Sequence, residues 1–183
     1  IGESKSATII DGNGAGSVVR VEADNATVSN CTIQNGGGGN AGVFISRYSK
    51  HNVISDNIVT SNMWCGVFLD RWSGNNTFSG NTISNNVRWP DGCGLRLFGS
   101  NNNIFTRNVI VNNRYGIIME ISSGNYFRSN EIAGNIFNLD VTGYSLSDYV
   151  HDIDASNTVD RKPIYYWINK HDMQIPADAG YVA

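Results

Sequence analysis

The feature that most constrains this chain is a set of residue registers that recur in step. Ala41-Gly42-Val43-Phe44-Ile45 returns as Cys65-Gly66-Val67-Phe68-Leu69, Cys93-Gly94-Leu95-Arg96-Leu97, Tyr115-Gly116-Ile117-Ile118-Met119 and Phe137-Asn138-Leu139-Asp140-Val141. The glycine of this piece falls at 42, 66, 94 and 116 and becomes asparagine at 138, spacings of 24, 28, 22 and 22. A second apolar column runs Val28, Ile54, Phe78, Phe105, Phe127, and a third Ile33, Val59, Ile83, Ile110, Ile132. Just ahead of the third sit Cys31, Asn57, Asn81, Asn108 and Asn130. No piece has helical spacing and none can bury its apolar side alone, so each must be covered by the copy before and after it.

Three short strands in a repeat of roughly 22 residues describe an all-β fold, a parallel β-helix whose strands pair with their equivalents about 4.8 Å along the axis. The handedness of parallel crossovers predicts a right-handed coil. Asparagine suits the corners because it tolerates left-handed backbone angles. At a repeated inward position, its amide can also bond the asparagine of the next coil and form a ladder.

One solenoid accounts for residues 1–183 without a domain boundary. Residues 1–16 read as a lead-in and the coils cover 7–141. The rhythm breaks over 142–178, an excursion with side strands, and 179–183 restates the Gly-x-Val motif as the start of a further coil. The chain reads as a fragment of a longer protein. Asparagine, at 25 residues, outnumbers the 20 glycines, while 40% of the chain is hydrophobic and 16% charged. That is a turn-rich globular composition, not a disordered one. A net charge of −3 lacks the basic stripe that nucleic acid demands, and no apolar run is long enough to span a bilayer. Cys65 and Cys93 fall at one repeat position in neighbouring coils. A disulfide could form there, but buried thiols packing as small apolar residues is the favoured reading.

Repeats of the form Gly-Ile-x-Leu followed by Asn-x-Ile-x-x-Asn-x-Ile resemble the NosD-like, carbohydrate-binding-and-sugar-hydrolase (CASH) class of right-handed β-helices, over residues 7–141. The segment 152–166, Asp-Ile-Asp-Ala-Ser-Asn-Thr-Val-Asp-Arg-Lys-Pro-Ile-Tyr-Tyr, is similar to one found in archaeal, especially methanogen, cell-surface members. The resemblance implies an extracellular, cell-surface or periplasmic location and a polysaccharide partner. NosD itself is associated with copper maturation of nitrous oxide reductase, but the sequence supports no metal or other cofactor. His51, His151 and His171 have no paired spacing and Met63, Met119 and Met173 form no cluster. Asp148, Asp152, Asp154 and Asp160 match no calcium loop and read as a solvated acidic segment.

The outward residues of the first strand, Phe44, Phe68, Arg96, Ile118 and Asp140, form one line along the solenoid. Tyr48 and Trp72 follow that strand behind Arg47 and Arg71, while Trp64 and Trp89 precede it. Aromatic shoulders on an apolar floor would make a trough for sugar rings, with Arg96 and Asp140 bonding hydroxyls. The alternative is that the 144–171 excursion or a neighbouring domain covers these aromatics. Asp70 and Glu120 share one repeat position two coils apart, roughly 9–10 Å by strand spacing, near the range of an inverting glycosidase. The sequence therefore predicts a non-catalytic module that binds a polysaccharide or cell-surface glycan, or that stacks on neighbouring domains or copies of itself. A polysaccharide-degrading hydrolase or lyase is the alternative. Sequons at Asn25, Asn30 and Asn75 say little in so asparagine-rich a chain.

Overall fold

The computed structural model describes residues 1–87 and 92–183. Trp89, one expected shoulder of the trough, lies outside them. The chain winds as a β-solenoid of three parallel sheets, with one strand of each sheet per coil. Sheet one stacks Val19–Val21, Val43–Ile45, Cys65–Leu69, Cys93–Phe98, Tyr115–Glu120 and Phe137–Thr142. Sheet two stacks Thr27–Ser29, Val53–Ser55, Thr77–Ser79, Ile104–Thr106, Tyr126–Arg128 and Asp152–Ile153. Sheet three runs from Ile9–Asp11 through Thr32–Gln34, Ile58–Thr60, Thr82–Ser84, Val109–Val111 and Glu131–Ala133 to Thr158–Val159.

The registers read from the sequence are the strand registers. Ile83 pairs with Val59 and Ile110, Phe105 with Phe78 and Phe127, and Leu95 with Val67 and Ile117. These columns face inward and fill a dry core. The rings of Phe78, Phe105 and Phe127 stack at 5.0 and 4.7 Å. At about 1.5–3 kcal/mol for each fully buried large side chain, the stacked columns are the main stabilising term.

The glycines of the first strand are there for room. A Cβ on Gly66 would stand 2.5 Å from Ile83 Cγ2 and 2.7 Å from Asn86 Nδ2, and one on Gly94 would be 2.6 Å from Ile110 Cγ2. The inward alternation therefore skips a residue here. Val67 and Leu69 point into the core, and Cys65 lies on the other side of the sheet, packed with Phe68, Cys93 and Ile118. Cys65 and Cys93 are exact register partners with Cα atoms 4.4 Å apart, and they are disulfide-bonded. The expectation of paired free thiols is thereby corrected, because in-register neighbours on parallel strands already sit at disulfide distance. Cys31 remains a buried thiol, its Sγ donating to the Ser29 carbonyl.

The corners are held from inside by asparagine. Among the described residues there are three ladders rather than the single one expected. Asn57, Asn81, Asn108, Asn130 and Asn157 link the corner between sheets two and three. Asn52, Asn76, Asn103 and Asn125 stand before sheet two, and Asn62, Asn86, Asn113 and Asn135 after sheet three. At each step both the backbone N–H and the side-chain amide of one asparagine donate to the Oδ1 of the next, as from Asn81 to Asn108 at 3.1 and 3.0 Å. The same Nδ2 also reaches a carbonyl of the preceding coil. A buried amide thus satisfies its own donors and a backbone N–H at once.

Past Thr142 the connection from sheet one to sheet two lengthens and includes a 3-10 turn at Leu146–Tyr149. After Thr158–Val159 the chain reverses, and Lys162–Tyr165 pairs antiparallel to it. Ile164 enters the core beside Leu139, Ile153 and Ile132, and Tyr166 packs on the same cluster. Tyr181–Val182 pairs in parallel with this reversed strand.

Candidate functional site

Sheet one and the corner after it gather most of the side chains singled out above. On the outer face, register puts Phe44, Phe68, Arg96, Ile118 and Asp140 in one line, as expected. The apolar part of that line is not an open floor. Phe68 keeps only 9% of its surface, with Phe44 and Trp64 set edge-on at 5.3 and 5.0 Å. Arg96 lies over the Trp64 ring at 5.5 Å and donates to Glu120 at 2.7 Å. Trp64, Phe68, Arg96 and Glu120 are therefore one packed cluster above the disulfide.

The exposed aromatics are Tyr48 and Trp72. Their rings stack nearly parallel, 9° apart at 5.0 Å, and retain 62% and 51% exposure. The excursion after Thr142 does not cover them. Both backbones are left-handed, with φ of 66° and 62°. In the next coil the corner is one residue shorter, and its left-handed residue is Gly99, which lies against Arg71; in the coil after that it is Ile121. Large side chains rarely adopt this conformation, which costs on the order of 1–2 kcal/mol. The left-handed residue of this corner is thus an aromatic twice, a glycine once and an isoleucine once. The corner is fixed from within by serines: Ser73 and Ser100 share a hydroxyl contact at 3.1 Å, and the Ser100 N–H donates to Ser122 Oγ at 3.0 Å.

The carboxylates are each occupied. Asp70 accepts from Arg47 at 3.0 Å and from the Arg71 backbone N–H at 2.8 Å. Glu120 accepts from Arg96. Strand register places Asp70, Phe98 and Glu120 in one column, so the two acids stand two coils apart with a phenyl ring between. Further along this corner, Phe98, Glu120, Ile121, Thr142, Gly143 and Tyr144 line a cavity of about 280 Å³. Residue spacing does not reveal it, because it needs the excursion to bring Tyr144 beside Phe98. Asp140 ends the outward line of sheet one, paired with Ile118. Burial, and secondarily the charge of Asp140, push the Tyr181 phenol upward at the folded-back end.

His151 is buried there, 5% exposed, with neither ring nitrogen hydrogen-bonded. Desolvation lowers it to about 4, against the opposing influence of Asp148. Its place is informative. Asp152 pairs with Tyr126, so His151 occupies the position of Asn125 one coil on, where the second ladder ends.

A protein-family model described as periplasmic copper-binding protein (NosD) matches residues 3–160. No curated protein and no solved structure matches the chain. The donors present do not fit the copper of that description. Among the described residues no three of His, Cys, Asp and Glu are gathered to hold a metal. Met119 is sealed in the core, while Met63 and Met173 are exposed.

Proposed function

This chain belongs to the NosD family, and from that premise we propose that the β-helix is an extracytoplasmic module that binds carbohydrate along the corner following sheet one. The observation that carries this reading is the exposed, parallel Tyr48–Trp72 pair, held on left-handed backbone where the fold would otherwise favour glycine. Flat aromatic faces give sugar rings a rigid apolar contact at little conformational cost. Arg47, 6.0 Å above the Trp72 ring and bonded to Asp70, braces the pair from behind. The pairing of Asp70 and Glu120 with arginines supports positioning rather than turnover.

The test is a panel of neutral and acidic polysaccharides in affinity electrophoresis. Trp72→Ala should abolish retardation by the bound glycan while leaving the melting temperature near that of the parent. Retention of binding by that variant would move the carbohydrate site off this corner, and no retardation of the parent by any glycan would leave the module as a scaffold that stacks on neighbouring domains or copies.

A further inference from the structure

The class of sugar follows from one uncompensated charge, on the premise that this corner binds carbohydrate. Arg47 and Arg71 hold the same position one coil apart, and each leans forward over an aromatic ring of the next coil. Arg47 lies 6.0 Å from the Trp72 centroid and Arg71 lies 4.4 Å from that of Phe98. Arg47 also finds a carboxylate one coil on, Asp70 at 3.0 Å. For Arg71 the equivalent position is Phe98, because Leu97 is the register partner of Leu69. Glu120, one coil further, is taken by Arg96 at 2.7 Å. Among the described residues the Arg71 guanidinium therefore has no carboxylate partner; it lies over the Phe98 ring, beside the turn at Gly99.

An exposed guanidinium stacked on an aromatic ring keeps its edge donors free for a planar anion. It follows directly after the Tyr48–Trp72 pair on the same corner, and the cavity bounded by Phe98, Glu120 and Tyr144 continues the line. We propose that this corner takes an acidic polysaccharide of the uronate type, lying along the solenoid axis. Sugar rings would rest on Tyr48 and Trp72, and a carboxylate would reach Arg71. The chain carries a net charge of −3, so it does not draw in anions over long range. The preference must arise by contact, and one residue should carry it.

The experiment compares polygalacturonate with its neutral methyl ester, titrated calorimetrically into the protein and into Arg71→Gln, Arg71→Lys and Trp72→Ala variants. Polygalacturonate should bind about tenfold more tightly than the ester, the size of one charge-assisted hydrogen bond. Arg71→Gln should bring that ratio to about one without changing affinity for the ester, whereas Arg71→Lys should keep part of it. Added salt should narrow the ratio in the parent. Trp72→Ala should weaken both ligands alike. Equal affinity for acid and ester in the parent would overturn the uronate assignment and leave the carbohydrate reading standing. Binding of neither, or binding of both untouched by Trp72→Ala, would overturn both.

Discussion

Two corners of the same coil are built by different rules. Between sheets two and three the turn is tight. A left-handed residue (Asn30, Asp56, Gly80, Arg107 or Ser129) is followed at once by the inward residue, Cys31 in the first coil and a ladder asparagine in the others. Between sheets one and two the turn is wide, with left-handed residues at both Trp72 and Asn75, and its inner wall is shared by Ser73 and Asn76. The tight corner uses its inward position to close the turn and leaves a single residue outside, glycine or polar. The wide corner is secured by its serines and asparagines, so the outer position is released from structural duty. That position is where Tyr48, Trp72, Gly99 and Ile121 differ most. Side-chain variety accumulates where the inner wall already holds the backbone.

The difference can be attacked from the largest effect downward. Ile83 stands two residues after Asn81 and is 1% exposed. Ile83→Asp should unfold the middle coils outright, since an unpaired carboxylate in a dry core costs far more than a domain's margin. A cooperative far-UV melt close to the parent's would refute the inward register on which both corners rest.

Next in size is the point where the wide-corner ladder ends in His151. Its folded-state value of about 4 lies below the ordinary 6.5, so the folded state binds fewer protons than the unfolded chain. The stability tied to His151 is complete above pH 6.5 and is lost as the pH falls toward 4, on the order of 3 kcal/mol in all. Thermal melts from pH 7 to 4.5 should show this loss, and it should be reduced in His151→Asn. The same variant should raise stability at neutral pH by about 1 kcal/mol, because the introduced amide can accept from Asn125. An unchanged pH profile in that variant would place the titration elsewhere.

The tight corner itself should answer to Asn81→Ala, which strands the Asn57 amide and the Ile54 carbonyl and should cost about 1–3 kcal/mol. Ser100→Ala, on the wide corner, removes a hydroxyl that shares its partners with neighbouring serines. Chemical denaturation should show it costing less than Asn81→Ala. The smallest shift belongs to Trp72→Gly, within about 1 kcal/mol of the parent in either direction. Relief of the left-handed backbone offsets the lost stack on Tyr48. A loss of several kcal/mol would mean that the outer position is not released after all.

Much of this was legible in the residues. The columns of Ile, Val and Phe, and the Asn57–Asn130 ladder, follow from spacing alone, because strands that pair one coil apart must repeat in step. The other two ladders were hidden by doublets. In Asn75-Asn76, Asn85-Asn86, Asn102-Asn103 and Asn112-Asn113, the first residue is left-handed and the second is buried. Spacing cannot say which of two adjacent asparagines turns inward. Tyr48 and Trp72 could be placed on one corner by their offset of 24. The closing of Phe68 beneath Trp64 and Arg96 could not be foreseen, since it depends on how long side chains lie across the sheet. The Cys65–Cys93 bond was half visible. Register gave the proximity, but nothing in the spacing distinguishes a bonded pair from two packed thiols.

That bond has a mechanical consequence. A solenoid pulled from its ends should peel coil by coil, each coil releasing its length in turn. Here the chain between Cys65 and Cys93, a separation of 28 residues, is a closed loop that force cannot pay out. Single-molecule extension of the oxidised protein should fall short of the reduced protein's by roughly 90–100 Å. The missing length would come from the coil that bears Trp72 and Arg71, so under tension the stretch that carries the aromatic corner is the one that cannot be drawn straight.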